Sequence, residues 1–265
     1  MLETEKRNPA TTHIDKATTA ETLKMISTAN HEAADAVDAA LPQIEKAADA
    51  AAASVAAGGR IFYIGAGTSG RLAVVDASEC PPTYGVSHDV VVAVMAGGKN
   101  AMFKAAENVE DQADTGRNDL LAHKPTAKDT VIGISASGSA RYVSSALAAA
   151  REVGCVTVSI SSNPGSPISR EADIEICTPT GAEVVTGSTR MKAGTAQKMV
   201  LNMISTCAMV KTGKVYENLM INLRPTNIKL RARMIRIVCE ILRTDEQTAE
   251  TLLEKNDWNI RAAVQ

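Results

Sequence analysis

Hydrophobic residues in the middle of the chain form short β-branched runs, and amphipathic stretches with helical spacing lie between most of them. The runs predict strands at residues 61–64, 90–94, 130–134, 156–160 and 173–176. The stretches between them predict helices at residues 70–78, 99–113 and 141–153. Strands that alternate with helices are typical of a parallel sheet covered on both faces. The pattern therefore predicts an α/β fold, a five-stranded parallel doubly wound αβα sandwich.

Both flanks of this sandwich are predicted to be largely helical. Alanine dominates residues 33–57 and Pro42 is well placed to open a helix, so residues 20–57 are predicted to form two helices. A long helix is predicted at residues 190–211. The first fifteen residues are polar, and we expect them to be loosely held. The predicted division is an N-terminal arm with helices at 1–50, the α/β domain at 51–214 and a small helical C-terminal domain at 225–265.

Charge and composition narrow the possible partners. The 265 residues include 28 basic and 30 acidic side chains, a net charge of −2, so there is no basic excess for nucleic acid or an anionic membrane. No run approaches about 18 consecutive apolar residues and the start of the chain lacks a signal-peptide pattern, so we expect a cytoplasmic protein without a membrane span. Five scattered cysteines without C-x-x-C spacing predict neither a disulfide framework nor a metal site. A small polar molecule is the expected partner.

A glycine-rich turn follows the first predicted strand. It has the G-x-G-x-x-G spacing of dinucleotide-binding folds, at Gly65, Gly67 and Gly70. Those folds also need a carboxylate at the end of the second strand to hold the ribose, and residues 94–99 contain none. Thr68 and Ser69 instead place two hydroxyls at a helix N-terminus, where free amides and the helix dipole favour an anion. An anion site is therefore favoured over a nicotinamide site, and a tight turn without a ligand stays open.

A second hydroxyl-rich turn follows the third predicted strand. Its serines surround a glycine, in the order Ser135, Ser137, Gly138 and Ser139. Two turns at strand ends can converge on one ligand where the strand order of a doubly wound sheet reverses. Neither turn contains a lysine or a G-K-[ST] motif. The pair therefore favours a phosphomonoester on a sugar over a nucleoside triphosphate.

Two sets of carboxylates are candidates for acid–base chemistry. Glu79 is predicted to end a helix just before Pro81 and Pro82, where the negative end of the helix dipole favours the uncharged acid. A solvated glutamate is the alternative, and Asp76 competes for the role. The second set has helical spacings of three and four, at Glu107, Glu110, Asp111 and Asp114. Such a stripe is usually a solvated helix face, but one member can point into a ligand cleft.

A third motif spans residues 181–198. Ser188 or Thr189 can cap the helix that follows, and the first turns of that helix carry three cations, Arg190, Lys192 and Lys198. Cations at a helix N-terminus oppose the dipole. Their placement suggests an anionic neighbour, and surface solvation is the alternative.

These motifs together resemble one family. The segments are GAGTSGRL, DASECPPTYG, AAENVEDQ, ASGSARYV, SSNPGSPIS and GAEVVTGSTRMKAGTAQKMVLNMIST. They closely resemble the N-acetylmuramic acid 6-phosphate etherases, which have the sugar isomerase (SIS) fold, over roughly residues 11–265. The GAEVVTGSTRMKAGT stretch is shared with the glucokinase regulatory protein. The resemblance implies a carbon–oxygen lyase that cleaves the D-lactyl ether of N-acetylmuramic acid 6-phosphate by elimination and water addition, without a cofactor, in peptidoglycan recycling.

The resemblance also implies roles for individual residues and a homodimer. It implies that Glu79 is the catalytic acid and Glu110 the second catalytic glutamate. The substrate-binding residues it implies are Gly67, Thr68, Ser69, Ser135, Ser137, Gly138, Ser139 and Glu183. Many relatives read SGRTPYV where this chain reads SGSARYV, so Ala140 replaces a threonine hydroxyl. A sugar-phosphate aldose–ketose isomerase and a non-catalytic sugar-phosphate-binding regulator of the same fold stay open as alternatives.

Overall fold

A parallel sheet forms the centre of the molecule. The computed structural model describes residues 2–106, 108–225 and 227–264. The strands are β1 (Ile61–Gly65), β2 (Val91–Met95), β3 (Thr130–Ile134), β4 (Val156–Ser161) and β5 (Ile174–Cys177). All pair in parallel, in the order β2-β1-β3-β4-β5. The predicted sheet is confirmed, with strand ends within one residue of those predicted.

Helices cover both faces of the sheet. They are α1 (Thr19–Ala39), α2 (Leu41–Ala56), α3 (Gly67–Tyr84), α4 (Gly98–Ala101), α5 (Ala113–Ala122), α6 (Arg141–Val153), α7 (Lys192–Lys211), α8 (Ile228–Leu242), α9 (Glu246–Lys255) and α10 (Ile260–Ala263). Successive side chains of a strand point to opposite faces. Tyr63 accordingly packs with α2, α3 and α7, and Phe62 packs with α5 and α6. The predicted αβα sandwich is confirmed.

The helix predicted at residues 99–113 is wrong. Within the described part of this stretch α4 ends at Ala101, residues 108–112 contain no helix, and α5 begins at Ala113. The guanidinium group of Arg71 donates to the carbonyl oxygens of Ala101 and Met102, at 2.8 and 3.1 Å. The guanidinium thus satisfies carbonyls that lack intrahelical partners where α4 ends. Glu110 and Asp111 therefore lie in a loop rather than on a helix face, Asp114 lies in the first turn of α5, and Glu107 lies outside the described residues.

Helix α3 is longer than predicted and corrects the placement of Glu79. It continues through Pro81 and Pro82 to Tyr84. Both prolines lie in its last turn, where a missing N–H removes a hydrogen bond but the fixed φ is still helical. The helix ends instead at Gly85, which has a φ of +66° and donates its N–H to the carbonyl of Pro81 at 2.9 Å. Glu79 is therefore an exposed residue within a helix, not a helix-end residue.

The N-terminal arm is docked, so the expectation of a loose segment is wrong. Three short 3-10 turns form it, at Glu3–Glu5, Pro9–Thr11 and Ile14–Lys16. Thr4 is fully buried, and the hydroxyl of Thr11 donates to the carbonyl of Val184 at 2.8 Å. After the arm, α1 begins with a capping box between Thr18 and Glu21.

The C-terminal helices have a core of their own. Apolar side chains of α8, α9 and α10 pack together with Ile221 and Leu223, which precede them. The guanidinium of Arg231 lies over the ring of Trp258, 4.9 Å from its centroid. A two-stranded hairpin, β6 (Val215–Tyr216) and β7 (Leu219–Met220), leads into this group. The division of the chain into three domains stays a prediction.

None of the helices in the described ranges is long and apolar enough to cross a membrane.

Candidate functional site

Two turns meet where the strand order reverses. Strand β1 pairs with β2 on one side and β3 on the other, so the turns that follow β1 and β3 are neighbours at the carboxyl edge of the sheet. The first turn is tight because a Cβ on Gly65 would lie 2.8 Å from the amide nitrogen of Gly70. The close contact brings the start of α3 against the end of β1. The predicted convergence of the two turns is therefore present in the fold.

Both turns end in helix N-termini without a side-chain cap. The N-cap residues are Ala66 for α3 and Ala140 for α6, and neither side chain can accept a hydrogen bond. Gly67, which opens α3, has a φ of +54°. Helix N-terminal amides that lack another acceptor are available to an anion, and the dipoles of two helices favour one there.

The serine turn between β3 and α6 is organised by its own hydroxyls. Ser137 Oγ lies 2.8 Å from Ser139 Oγ and 3.4 Å from Ser135 Oγ. The amide of Gly138 donates to Ser135 Oγ at 3.1 Å. Gly138 has a φ of +72°, and a Cβ there would overlap the side chain of Ser166. Glycine is therefore needed for the turn that holds the three hydroxyls together.

A cavity of about 420 Å³ opens over both turns. Its wall includes the predicted site residues Gly67, Thr68, Ser69, Glu110, Ser135, Ser137 and Ser139. Two larger grooves, of about 580 and 620 Å³, are lined mostly by apolar side chains. Only the smaller cavity combines hydroxyls, helix N-termini and carboxylates among the described residues, so it is the candidate active site.

Glu110 is held beside the serine turn through its backbone. Its carbonyl oxygen accepts a hydrogen bond from the amide of Tyr142, in the first turn of α6, at 2.9 Å. Tyr142 is itself fixed, because it is buried and its hydroxyl donates to Asp119 at 2.8 Å. Burial and this hydrogen bond raise the pKa of the Tyr142 hydroxyl far above its ordinary value. Exposed Glu110 thus lines a cavity whose other wall can bind an anion.

Glu79 does not line this cavity in its own chain. It lies twelve residues beyond Gly67 on α3, which at about 1.5 Å per residue is about 18 Å along the helix axis. Its competitor Asp76 is buried, and its carboxylate accepts hydrogen bonds from Tyr63, Asn202 and Ser205. Burial and the Asp76 charge raise the pKa of the neighbouring Cys80 thiol to about 12. Asp76 is therefore part of a structural network, whereas the Glu79 carboxylate has no hydrogen-bond partner among the described residues.

Glu183 lies beneath the cavity wall rather than in it. Its buried carboxylate accepts hydrogen bonds from the amides of Lys192 and Ala193, both at 3.0 Å, and so caps α7 in place of Ser188 or Thr189. This contact anchors the loop whose Gly187 and Thr189 line the cavity. Lys192 finds its anionic neighbour within the protein, since Lys192 Nζ lies 2.6 Å from Glu32 Oε2.

The wall also contains Glu5, which sequence reasoning missed. Asp111, a member of the predicted carboxylate stripe, and Thr189, a predicted helix cap, line the wall as well. Glu5 comes from the N-terminal arm, whose partners lie more than 120 residues away along the chain. No local spacing could have indicated it.

Comparison with known proteins decides the family. Over 263 residues the chain is 51% identical to the N-acetylmuramic acid 6-phosphate etherases of Salmonella agona (strain SL483) and Salmonella typhi, which covers 99% of this chain and 89% of each relative. The chain belongs to the N-acetylmuramic acid 6-phosphate etherase family. Within this etherase family member, residues 43–151 match the glucokinase regulatory protein N-terminal SIS domain, and residues 98–206 match the SIS domain.

Solved structures at low identity share the fold. A phosphosugar isomerase homologue involved in capsule formation from Bacteroides fragilis is 22% identical, with a TM-score of 0.56 over 77% of this chain and 98% of its own. A phosphoheptose isomerase from Francisella tularensis is 19% identical, with a TM-score of 0.53 over 74% and 98%. A phosphoheptose isomerase from Neisseria gonorrhoeae is 16% identical, with a TM-score of 0.52 over 71% and 98%. The expected SIS fold is confirmed.

Proposed function

We propose that this protein cleaves the D-lactyl ether of N-acetylmuramic acid 6-phosphate and releases D-lactate and N-acetylglucosamine 6-phosphate. It is then a carbon–oxygen lyase of amino sugar catabolism that recycles cell-wall muramic acid. The observation that carries the proposal is one cavity in which Glu110 faces two hydroxyl-rich turns at helix N-termini. The etherase relatives at 51% identity support the same reaction.

The phosphate is assigned to the two turns. Hydroxyls of Thr68 and Ser69 from the first turn, and of the three serines from the second, supply donors to its oxygens, and Gly67 lines the same cavity. Gly138 shapes the second turn, and its amide donates to Ser135 Oγ. Glu183 serves this wall by positioning Gly187 and Thr189. Binding energy from the phosphate, which takes no part in the chemistry, holds the reacting carbons in place.

The reaction needs one base and one acid. In the open-chain sugar, the aldehyde makes the proton on carbon 2 acidic, and the Glu110 carboxylate removes it. The electron pair left on carbon 2 forms a double bond to carbon 3 as the carbon–oxygen bond to lactate breaks, and Glu79 protonates the departing oxygen. Water then adds to carbon 3 of the unsaturated aldehyde and carbon 2 regains a proton. Each carboxyl contributes about 10² to 10⁴ in rate, and the sequence of steps needs no cofactor.

Glu79 reaches this chemistry from a second copy of the chain. In its own chain it lies about 18 Å along α3 from the phosphate turn. Val75, which lies between Thr68 and Glu79 on the helix, is an exposed apolar residue. An antiparallel crossing of two α3 helices midway between Thr68 and Glu79, one to two residues before Val75, brings Glu79 of the partner subunit beside Thr68. In this homodimer each cavity takes Glu110 from one subunit and the acid from the other.

The face of the sheet that is covered by α3 offers further apolar surface for such a dimer. Between α2 and α7 runs a groove of about 620 Å³, and the exposed side chains of Leu41 and Val210 lie at its rim. Helices α2, α3 and α7 all pack on this face. Contiguous apolar surface of this kind is typical of subunit contacts.

We also propose that the protein acts in the cytoplasm. All five cysteines are free, and two of them are buried. Unpaired thiols in this number fit a reducing compartment.

The test is to incubate the purified protein with N-acetylmuramic acid 6-phosphate and measure D-lactate and N-acetylglucosamine 6-phosphate. We expect equal amounts of both from the unaltered chain and none from Glu110→Gln. Interconversion of aldose and ketose phosphates without lactate would instead indicate an isomerase. Saturable binding of sugar phosphates without any turnover would indicate a regulator.

A further inference from the structure

We infer that Glu5, on the N-terminal arm, is a substrate-binding residue that recognises the sugar rather than its phosphate. The inference deepens the proposed function and rests on it for the identity of the sugar phosphate. It assigns a role to a segment that the sequence pattern alone marks only as polar.

Glu5 lies in the wall of the candidate active site. Its carboxylate shares the 420 Å³ cavity with Ser137, Gly187 and Glu110. The Oε2 atom lies 3.9 Å from the position that a Cβ on Gly187 would occupy. Gly187 has a φ of +80°, so the loop from residue 183 to 189 turns there without a side chain and leaves space for the glutamate.

A buried side chain connects the arm to the serine turn by hydrogen bonds. Asn163 is 4% exposed and its Oδ1 accepts a hydrogen bond from the amide of Glu3 at 2.6 Å. Its Nδ2 donates to the hydroxyl of Thr4 at 3.3 Å and to the carbonyls of Ala136 and Ser137, both at 3.2 Å. One amide group therefore joins the residues on either side of the cavity rim, next to Glu5.

A second pair of contacts ties the arm to the opposite wall. The side chain of Asn8 donates to the carbonyl of Ala182 at 3.4 Å, and the hydroxyl of Thr11 donates to that of Val184 at 2.8 Å. Thr11 is buried. Glu5 thus lies between two anchored segments, residues 3–4 and 8–11, and these hold it over the cavity.

The chemistry of the cavity decides what Glu5 binds. A carboxylate only accepts hydrogen bonds, and a phosphomonoester near neutral pH likewise presents almost only acceptors. The two groups repel each other inside one cavity, and the phosphate fits the amides and hydroxyls of the two turns. Glu5 is therefore matched to the O–H and N–H donors of the sugar itself. A site built around such donors discriminates against analogues that lack them.

The test compares two ligands that share the phosphate. Calorimetric titration with N-acetylglucosamine 6-phosphate and with inorganic phosphate is performed on the unaltered chain and on Glu5→Gln. We expect the substitution to raise the dissociation constant of the sugar phosphate about tenfold, since it replaces a charged acceptor by a neutral one. The dissociation constant of inorganic phosphate should change by no more than about twofold. Neither ligand requires turnover, so failure to release lactate would refute the proposed function without touching this inference.

Two further variants separate contact from support. Glu3→Gln is the matched control, because Glu3 lies on the same turn but its carboxylate pairs with Lys6 at 2.6 Å outside the cavity; we expect no change with either ligand. Asn163→Leu removes the hydrogen bonds that hold the arm and the serine turn, so the affinity for both ligands should fall. Unchanged sugar-phosphate affinity in Glu5→Gln would overturn the inference. An equal loss for both ligands in Glu5→Gln would overturn it as well, because it would show a structural role only.

Discussion

The hydroxyl of Ser69 donates a hydrogen bond to the side-chain oxygen of Gln197, 2.9 Å away, where α3 packs against α7. Gln197 is buried, and its Nε2 has no hydrogen-bond partner within the described part of the chain. A half-turn of that amide would present Nε2 to Ser69 as a donor. The proton of the serine would then be free to point at a phosphate oxygen in the cavity.

Gln197→Glu should therefore weaken binding of the phosphorylated substrate. A carboxylate can only accept, so it retains the Ser69 proton and adds a negative charge behind the phosphate turn. We expect KM to rise about tenfold or more, as in Ser69→Ala, with a smaller change in kcat. Steady-state kinetics measures both.

The matched variant is Gln197→Met, which has similar volume and leaves the Ser69 hydroxyl free. Its KM should stay near that of the unaltered chain. Equal KM values for the Glu and Met variants would show that this pair of residues has no part in phosphate binding.

The shared active site predicts complementation between two inactive chains. Glu79→Ala and Glu110→Ala should each lose lactate release. When the two are co-expressed, a mixed dimer contains one cavity with both glutamates, so about a quarter of the unaltered activity should return. Lactate release and light scattering on the purified mixture measure activity and dimer content.

Co-expression of Glu79→Ala with a chain that carries both Glu79→Ala and Glu110→Ala provides the control. This mixture should stay inactive. If mixed dimers form but remain inactive, both glutamates act within one chain, and the proposed crossing of α3 helices is incorrect.

The two glutamates should also differ in proton exchange. Removal of the carbon 2 proton does not need a leaving group, so Glu79→Ala should still exchange that proton of N-acetylglucosamine 6-phosphate with heavy water. Glu110→Ala should lose exchange as well as lactate release. Proton NMR of the product follows the exchange. Exchange that survives only in Glu110→Ala would mean that the roles are reversed, and exchange in neither would give Glu79 a part in ring opening or in stabilising the enolate.

The ion pair between buried Asp129 and partly exposed Arg60 predicts an acid-dependent loss of stability. Burial raises the pKa of Asp129, but hydrogen bonds from Arg60 and Thr126 outweigh it and hold that pKa below its ordinary value of 3.8. Because the pKa of Asp129 is lower in the folded chain than in the unfolded chain, the charged carboxylate stabilises the fold at any pH above the unfolded-state pKa. This contribution is lost as the pH falls through the folded-state pKa. Asp129→Asn should therefore lower the free energy of unfolding by about 3 kcal/mol at pH 7, and this loss should shrink as the pH is lowered below 3.8.

Urea denaturation followed by far-UV circular dichroism at pH 7 and at a pH below 3.8 provides the measurement. Asp89→Asn is the control, since Asp89 is exposed and its carboxylate contacts only Ser87 in the hydrogen bonds of the described chain. An equal loss in Asp129→Asn at both pH values would show that packing, not charge, accounts for its effect.

The parts of the site that could be predicted are those fixed by short-range patterns. A β-branched strand followed by glycines and hydroxyls determines its own turn, and both Ser69 and Ser137 lie where the spacing placed them. Glu110 was identified by motif, but the helix predicted around it was wrong: α4 ends at Ala101, and Arg71, thirty residues before Ala101, donates to the carbonyls of Ala101 and Met102 there.

The parts that could not be predicted depend on distant contacts. Pro81 and Pro82 resemble a helix stop, yet in a last turn they remove donors without changing φ, and Gly85 is the true stop. Glu5 and Glu183 owe their places to partners in other elements, the latter through the amides of α7. Sequence spacing carries no information about such pairs.

A tryptophan in the turn between α9 and α10 makes intrinsic fluorescence a probe of the junction between α3 and the C-terminal helices. Trp258 is the single tryptophan of the chain, under the guanidinium of Arg231 and in the same cleft as Gly85 and Asn222. Gly85 ends α3 and lies so close to the carbonyl of Asn222 that a Cβ would overlap it. Intrinsic fluorescence therefore follows the docking of the C-terminal helices on the end of α3, the helix that carries Glu79, and gives no direct signal from the phosphate turns.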